Sequence, residues 1–305
     1  MTNRPDYALA IHGGAGAKPG RDYSEVETHL ATLIKEGEAM LDAGASAIDT
    51  VEAMVSALEV SGLYVAGRGS APNAAGYVEM DAAIMDGHVN RAGAVAGVRD
   101  LKNPIKAARA VLEKTPHVLL SGSGADHFCQ QAGLEQVQDA AQWYRLPVGV
   151  KMDETTTDEL VHGTVGAVAM DRKGRLAAAT STGGLFGKRE GRVGDTPLIG
   201  LGTWADATVT VSCTGLGEYF MLSAVAHDVS ARMRYGGEEV EQAVTSSLDS
   251  VAKRGGDGGV IAIDNTGTIV MKYNSKGMKC ASVRSGEAAN VSIFDPLGRV
   301  GASSP

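Results

Sequence analysis

The sequence has little of what marks several large classes of protein. Aromatic residues supply 5% of its 305 positions, so a core must be built mainly from aliphatic side chains. No apolar run approaches the ~20 residues that a transmembrane helix requires, and the first residues lack the long apolar segment of a secretory signal. The net charge is −8 with no basic block, whereas nucleic-acid binding normally requires a basic stripe. We therefore expect neither a membrane nor a nucleic acid as a partner.

Cysteine is also scarce. Cys129, Cys213 and Cys280 form an odd set without a Cys-x-x-Cys pair, which argues against a disulfide framework and against a zinc cluster. Such usage is typical of a reducing compartment, so we expect a cytoplasmic protein. The seven histidines show no metal-ligand spacing, and no catalytic cofactor is expected.

Glycine is the residue in excess. It fills 40 of the 305 positions, close to twice its usual share of about 7%. The glycines lie in short clusters between apolar runs, notably in residues 12–16, 62–76 and 183–196. Clusters of this kind are typical of tight turns and of places where the backbone approaches a ligand closely.

Hydrophobic periodicity predicts both helices and strands. Apolar residues recur at helical spacing over residues 24–41, 46–58 and 218–233, and apolar runs joined by turns predict hairpins over 165–180 and 258–273. Because the strands cluster in hairpins and the helices come in runs, the pattern indicates an α+β fold rather than a doubly wound one.

A polar segment precedes the first of these hairpins. Residues 136–160 carry three consecutive threonines and show weak periodicity, and we interpret 136–163 as an exposed, mobile linker. The segment ends at Gly163-Thr164, directly before an apolar strand. Since glycine has no Cβ, a hydroxyl can approach the Gly163 carbonyl without steric hindrance.

Thr164 is the candidate nucleophile. A threonine hydroxyl is weak without a base, but an α-amine on the same residue can act as that base. The amine has a reference pKa of about 7.7–8.0, so much of it is neutral near physiological pH. It becomes free only if the Gly163–Thr164 bond is cleaved. Taken locally, Thr164 fits a β-branched residue that opens a strand equally well.

Other polar positions follow the predicted strands. Thr182 and Thr214 lie at strand ends, and the turn after Thr214 precedes a helix, whose N–H groups suit an oxyanion. Arg192 and Asp195 lie three apart in a glycine-rich loop and suit a substrate carboxylate and ammonium. Each feature has a plainer interpretation as a glycine turn without function or a surface ion pair. The glycine motifs that bind phosphates are not present in the turn.

Seven segments together resemble one known family. In chain order they are IHGGAG (11–16), VEMDAAIMDG (78–87), HGTVGAVAMD (162–171), TSTGG (180–184), GRVGDTP (191–197), SCTGLGE (212–218) and GGDGGVIAID (255–264). They span nearly the whole chain in the right order, and the sequence in this respect resembles the plant-type asparaginase, or isoaspartyl peptidase, family.

The resemblance implies an N-terminal-nucleophile hydrolase fold, a four-layer αββα sandwich with two stacked sheets between helical layers. It implies a single domain over residues 1–305 that cleaves itself into an α chain (1–163) and a β chain (164–305). Two such αβ pairs are expected to assemble as a homodimer.

The resemblance also assigns roles in the reaction. Thr164 matches the family nucleophile and Thr182 the hydroxyl that supports it. Thr214 and the Gly215 N–H match the oxyanion hole, with Gly215 also touching substrate. The scissile bond is that between Gly163 and Thr164.

Substrate and cation sites are implied in the same way. Arg192 matches the group that holds the substrate α-carboxylate, while Asp195 and the Gly217 carbonyl match the site of the α-amino group. Family members hold a structural sodium through backbone carbonyls of a loop that corresponds to residues 58–68 here. The matching positions are Leu58, Glu59, Ser61, Tyr64, Ala66 and Arg68.

The sequence departs from the family pattern near the nucleophile. Val65 stands where the family has an asparagine, Leu216 replaces a small polar residue, and Leu185-Phe186 is bulkier than usual. An apolar side chain cannot make the hydrogen bonds of asparagine. These departures predict a pocket modified on the leaving-group side, favouring β-aspartyl dipeptides with apolar partners over free asparagine.

Three functions follow from the sequence. The first is an isoaspartyl peptidase that also hydrolyses asparagine. The second is a relative with the same fold that acts on glycosylated asparagine or as a threonine endopeptidase. The third is a non-enzymatic binding protein on the same scaffold, which should have lost Thr164, Arg192 or Asp195; the sequence retains all three.

Overall fold

The structure is a computed structural model that describes residues 4–150, 163–295 and 298–300. Its α-helices are α1 (Ser24–Asp42), α2 (Ala47–Ser61), α3 (Pro104–Lys114), α4 (Gly122–Gln131), α5 (Ala140–Trp143), α6 (Gly217–Ser223), α7 (Val225–Gly236) and α8 (Val240–Lys253). Its strands are β1 (Ala8–Ala15), β2 (Met80–Asp86), β3 (Arg91–Val98), β4 (Leu119–Ser121), β5 (Val165–Met170), β6 (Leu176–Thr182), β7 (Thr203–Ala205), β8 (Val209–Gly215), β9 (Gly258–Asp264), β10 (Ile269–Tyr273), β11 (Met278–Arg284) and β12 (Asn290–Ser292).

The strands form two sheets. The larger has the order β12-β11-β1-β5-β6-β2-β3-β4 and the smaller has the order β10-β9-β8-β7. Neighbouring strands are antiparallel throughout, except that β4 pairs with β3 in parallel. The hairpin that starts after Thr164 therefore lies at the centre of the larger sheet, where strands are buried on both faces.

Three apolar cores separate four layers. Helices α1, α2 and α3 pack on the outer face of the larger sheet through residues such as Leu30 and Val51. A second core, which includes Val168 and Ile261, lies between the two sheets. Helices α7 and α8 cover the smaller sheet. Because each sheet is apolar on both faces, two sheets between two helical layers satisfy the burial requirement, and the predicted αββα sandwich is confirmed.

One predicted helix is two helices. The apolar spacing predicted a continuous helix over 218–233, but Ala224 adopts a left-handed conformation (φ 48°) between α6 and α7. The periodicity of apolar residues survives such a break, because both helices still pack toward the smaller sheet. Short edge strands such as β4, and strand β11 with its mixed burial pattern, were also missed.

The predicted linker has an ordered start. Gln136 bridges to Leu101, a short helix covers residues 140–143, and Val148 N–H donates to the carbonyl of Leu63. The polar composition of the segment does not predict these contacts, because they are made by the backbone. The remainder of the predicted linker, residues 151–162, lies outside the described residues. No helix in the described part of the chain is long and apolar enough to cross a membrane.

Candidate active site

Thr164 and Thr182 meet because their strands pair. Thr164 directly precedes β5, Thr182 is the last residue of β6, and Val165 lies opposite Ser181 in the antiparallel register. The Oγ1 of Thr164 donates to the Oγ1 of Thr182 at 3.3 Å. The structure thus places the predicted nucleophile beside the predicted supporting hydroxyl, and both side chains are buried.

The Thr182 hydroxyl also contacts the predicted scissile bond. It donates to the carbonyl oxygen of Gly163 at 2.7 Å, and it accepts a hydrogen bond from the Gly184 N–H at 2.9 Å. A hydroxyl has one proton to donate and two lone pairs to accept. Thr182 therefore uses all of its hydrogen-bonding capacity, with its single proton directed at the oxygen of Gly163.

Gly163 is tightly enclosed. A Cβ placed on it would lie 2.9 Å from the Cβ and Cγ2 of Val65, which is too close for two carbon atoms. From the other side, a Cβ at Gly14 (φ 99°) would lie 3.1 Å from the carbonyl oxygen and 3.3 Å from the nitrogen of Thr164. Backbone and side chain thus press on the Gly163–Thr164 unit from two sides, and only glycine fits at position 163 without a shift of Val65.

The predicted oxyanion-hole residues lie at the end of a strand in the smaller sheet. Thr214 and Gly215 are the last two residues of β8, in the smaller sheet. Thr214 is fully buried, and its Oγ1 accepts a hydrogen bond from the Ala15 N–H at 3.1 Å. Gly215 lines the same pocket as Thr164 and Thr182. The two sheets therefore bring the hydroxyl pair and the predicted oxyanion residues together.

Arg192 is held from one side by a carboxylate that the sequence analysis missed. Its Nε and Nη2 donate to Oε1 and Oε2 of Glu218 at 2.9 and 2.8 Å. This contact uses the side of the guanidinium, so the Nη1–Nη2 edge keeps N–H groups for a second carboxylate. That edge faces the pocket: a Cβ at Gly194 would lie 3.0 Å from Nη1, and one at Gly217 would lie 3.1 Å from Nη2.

Asp195 is a buried carboxyl beside Arg192. Its exposed fraction is 4%, and among the described residues its Oδ2 has no hydrogen-bond partner. Burial raises the pKa of Asp195 to about 7, against the opposing effect of Arg192. A Cβ at Gly217 would lie 2.8 Å from Oδ1, so the carboxyl and this glycine share one corner of the pocket. An unpaired buried acceptor next to a cleft is suited to a cationic ligand group.

These groups line one narrow pocket. The lining residues are Gly163, Thr164, Thr182, Gly184, Leu185, Arg192, Gly194, Asp195, Thr196, Gly215 and Gly217. All the predicted reaction and substrate residues belong to this set except Thr214, whose neighbour Gly215 is included. The arrangement offers a nucleophilic hydroxyl, a cation for a carboxylate and an anion for an ammonium.

His12 belongs to a chain of buried polar side chains. Its Nε2 lies 2.9 Å from the Oγ of Ser212, which lies 2.8 Å from the Oγ1 of Thr180. The Thr180 hydroxyl in turn accepts from Thr203 at 2.7 Å. Burial lowers the pKa of His12 to about 3, so the ring is neutral at physiological pH. This chain of buried groups links the two sheets behind the pocket.

Two of the four departures from the family pattern lie together in the structure. Val65 and Phe186 pack with Ala71 in a small apolar group next to Gly163. Leu185 lines the pocket itself, while Leu216 is half-buried at the start of α6. Two of the unusual residues thus form one apolar wall, although they lie far apart in the sequence.

The predicted sodium loop is tightly folded. Residues 58–68 fold back on themselves: a Cβ at Gly67 would lie 2.5 Å from the Glu59 carbonyl oxygen, so only glycine fits there. Carbonyl oxygens are ligands that hard cations prefer. Several of these carbonyls already accept one hydrogen bond, among them Leu58 from the Ser61 hydroxyl and Arg68 from the Arg145 N–H. Since a carbonyl has two lone pairs, one accepted hydrogen bond does not by itself prevent it from binding a cation.

The fold and the pocket together define a class of protein. A buried threonine at the start of a central strand, behind a tightly packed glycine and between two stacked sheets, is the organisation of an N-terminal-nucleophile hydrolase. Comparison with known proteins narrows this class to one family.

A family model described as "Asparaginase" matches residues 5–293. The chain is 40% identical to the isoaspartyl peptidase of Salmonella typhimurium, over 94% of this chain and 98% of the relative. It is 41% identical to the isoaspartyl peptidase of Escherichia coli, over 95% and 97% of the two chains. It is also 41% identical to the isoaspartyl peptidase/L-asparaginase of Rattus norvegicus, over 92% and 86%. The chain therefore belongs to the asparaginase family that includes the isoaspartyl peptidases, and it is a hydrolase.

Proposed function

We propose that the protein is an amidohydrolase that activates itself by cleaving Gly163–Thr164, then removes N-terminal isoaspartyl residues from dipeptides and hydrolyses asparagine. The observation that carries this proposal is the contact of one hydroxyl, that of Thr182, with both the Thr164 hydroxyl and the Gly163 carbonyl. The similar proteins named above carry the matching activities in their names.

Self-cleavage follows from the directions of these hydrogen bonds. As the Thr164 oxygen attacks the Gly163 carbonyl carbon, its proton passes to the Thr182 oxygen, and the Thr182 proton passes to the oxygen of Gly163. The C–N bond then breaks as the Gly163 carbonyl reforms, and the nitrogen takes the proton that this oxygen gives up. An ester now links Gly163 to the Thr164 side chain. Water hydrolyses this ester, which leaves a carboxylate on Gly163 and a free α-amine on Thr164. That amine then serves as the base for turnover.

Turnover repeats the acyl transfer on a substrate. The guanidinium of Arg192 binds the α-carboxylate and the carboxylate of Asp195 binds the α-ammonium, which presents the side-chain carbonyl to Thr164. As the Thr164 hydroxyl attacks, its proton passes to the Thr164 α-amine and from there to the leaving nitrogen, so that ammonia or the second amino acid departs. Gly215 with Thr214 stabilises the oxyanion. Water then hydrolyses the acyl-enzyme and releases aspartate.

The apolar wall supports a preference among these substrates. We propose that Val65 and Phe186 favour dipeptides with apolar leaving groups over free asparagine, because an apolar wall beside Gly163 excludes water more readily than an asparagine would. Action on glycosylated asparagine or on proteins is less favoured, since the similar proteins are named isoaspartyl peptidases or isoaspartyl peptidase/L-asparaginases. A binding protein without activity is not favoured, since Thr164, Arg192 and Asp195 all line this pocket.

Three further features belong to the proposal. Loop 58–68 would hold a structural sodium through backbone carbonyls, with no part in the reaction. A homodimer of αβ pairs is supported by the family resemblance. A cytoplasmic location is supported by Cys129, Cys213 and Cys280, all of which are buried as free thiols.

The test of self-cleavage uses wild type and Thr164→Ala on a denaturing gel, with mass spectrometry of the bands. We expect two wild-type fragments that meet at Gly163/Thr164 and an intact variant. Thr164→Ser is the matched control, because it keeps a hydroxyl and should still cleave. A wild type that stays whole after long incubation, or fragments that meet elsewhere, would contradict the proposal.

A further inference from the structure

A buried lysine lies under the catalytic turn. Lys188 is 4% exposed. Its Nζ donates to the carbonyl oxygen of Gly183 at 3.1 Å and to that of Glu79 at 2.7 Å. A Cβ at Gly184 would lie 2.6 Å from this Nζ. The ammonium is therefore packed directly against the turn formed by residues 182–184.

Lys188 is connected to Thr182 through a single peptide unit. The carbonyl of Gly183 and the N–H of Gly184 belong to the same planar amide. The carbonyl accepts from the Lys188 ammonium, and the N–H donates to the Thr182 Oγ1 at 2.9 Å. A cation on the oxygen of an amide polarises the amide and strengthens its N–H as a donor. The same chain continues from Thr182 to the carbonyl oxygen of Gly163.

Asp81, Glu79 and Arg192 are ionisable side chains that act on Lys188. Asp81 of β2 lies opposite Thr182 in the sheet and is fully buried. The Glu79 carboxylate is held by the side chain of Asn73 and the N–H of Gly191. Burial lowers the pKa of Lys188, while Asp81 and Glu79 oppose that shift and Arg192 adds to it. A buried ammonium is costly unless it is paired and hydrogen-bonded, and Lys188 meets this condition through two backbone carbonyls and two nearby carboxyl groups.

We propose that Lys188 is a positioning residue that acts on Thr182 through the Gly183–Gly184 peptide. Its cation orients the Gly184 N–H and draws electron density from the Thr182 oxygen, so that the Thr182 hydroxyl becomes a stronger donor to the Gly163 oxygen as negative charge develops there. The proposal rests on the self-cleavage proposed above and names a residue that controls its rate.

The test times self-cleavage of precursor refolded from denaturant, for wild type and for Lys188→Met, Lys188→Gln and Lys188→Arg. We expect Met and Gln to slow cleavage by about tenfold or more, the rate equivalent of one hydrogen bond to a charged group. Arg keeps the cation and should restore most of the rate. After maturation, the neutral variants should show a reduced kcat with little change in KM, because Arg192 and Asp195 are untouched.

Lys272→Met is the matched control, since Lys272 is another largely buried lysine, in β10, with an ion pair to Glu241 at 2.9 Å. It should cleave at the wild-type rate. If the wild type cleaves and a folded Lys188→Gln variant cleaves equally fast, only the proposed role of Lys188 is overturned. A wild type that does not cleave would instead overturn the proposed function.

Wild type alone gives a second test if the neutral variants fail to fold. Cleavage is timed from about pH 7 to about pH 10.5, the range that ends at the ordinary lysine pKa. Glu79, Asp81 and Arg192 face Lys188. Burial raises the pKa of Asp81, and ionisation of that carboxyl with rising pH would hold the proton on Lys188 more firmly, which works against the expected fall. We expect the rate to fall as Lys188 loses its proton. A rate that rises throughout would overturn the proposal, because it would show a reaction limited by hydroxyl ionisation alone.

Discussion

The hydroxyl of Thr182 donates to the carbonyl oxygen of Gly163 at 2.7 Å. This one contact places a proton donor on the carbonyl of the proposed scissile bond, and the Thr182 Oγ1 also accepts a hydrogen bond from the Thr164 hydroxyl at 3.3 Å. The pairing of β5 with β6 sets both distances. The contacts on which the proposed self-cleavage depends therefore belong to the central hairpin and to Gly163, which directly precedes it.

Replacement of Thr182 should slow self-cleavage. Thr182→Val keeps the shape of the side chain and removes the donor to Gly163, and loss of one oxyanion donor typically costs ~10²–10³ in rate. Thr182→Ser keeps the hydroxyl and should stay within about tenfold of wild type. Gel densitometry of refolded precursor measures both rates. A Val variant as fast as wild type would show that the Thr182 hydroxyl takes no part.

Much of this site was predictable from the sequence, for a physical reason. The family resemblance assigned roles to Thr164, Thr182 and Gly215. Thr164 precedes β5 and Thr182 ends β6, and the antiparallel pairing of a hairpin brings these two ends together. Glu218 and Lys188 could not be predicted in this way. Their roles depend on the path of the loop 183–196, whose glycines allow many conformations. The apolar wall was predicted only as separate departures, since nothing in the sequence shows that Val65 contacts Phe186.

Val65→Asn should alter substrate preference. Val65 packs with Phe186 in the apolar wall beside Gly163. An asparagine there supplies polar groups near the leaving group, so we expect turnover of asparagine to rise relative to β-Asp-Leu, by about tenfold in the ratio of kcat/KM values. β-Asp-Lys serves as a polar dipeptide for comparison. If wild type already prefers asparagine strongly, the proposed role of the wall is wrong.

Substrate binding should weaken in acid as Asp195 takes up a proton. Burial raises the pKa of Asp195 to about 7, and only the carboxylate attracts the substrate ammonium. KM should therefore rise as the pH falls through about 7, while the rate of self-cleavage, which does not use Asp195, should not follow the same curve. Steady-state kinetics across this range test the assignment; a flat KM would contradict it.

Asp195→Asn should stabilise the protein and abolish tight binding. The ordinary pKa of an aspartate, near 3.8, applies to the unfolded chain, so wild type loses stability as the pH rises from about 3.8 to about 7 and the buried carboxyl resists ionisation. Relative to wild type, the free energy of unfolding of the variant should thus be unchanged near pH 4 and higher by on the order of 1–3 kcal/mol above pH 7. Thermal unfolding measures the gain, with Glu36→Gln, an exposed carboxylate of α1, as the control. Equal gains at both pH values would refute the assignment.

Removal of sodium should lower the melting temperature. A cation bound only by the folded loop 58–68 stabilises the protein according to its concentration and affinity. Replacement of sodium chloride by choline chloride at equal ionic strength should therefore reduce Tm, and addition of sodium should restore it. Gly67→Ala, which would push a Cβ to 2.5 Å from the Glu59 carbonyl oxygen, should remove the sodium dependence. Identical Tm values in both salts would exclude the site.

Glu218→Gln should weaken substrate binding with little effect on chemistry. Glu218 holds the side of the Arg192 guanidinium by two hydrogen bonds, so that the free edge faces Gly194 and Gly217. Glutamine keeps the shape but offers one acceptor and no charge. The guanidinium then loses its fixed orientation, and we expect KM to rise by about tenfold with kcat nearly unchanged.

The pH dependence of KM distinguishes a loss of Arg192 orientation from a general disruption of the structure in Glu218→Gln. The charge of Glu218 contributes to the raised pKa of Asp195, so its removal should move the acid limb of KM to lower pH. Glu190→Gln, at an exposed carboxylate in the same loop, should change neither the KM nor its pH dependence. A fall in kcat without a change in KM would mean that Glu218 acts on the reacting bond. A rise in KM together with a shift of its pH dependence to lower pH would establish that Glu218 orients Arg192 and raises the pKa of Asp195, and so takes part in substrate binding.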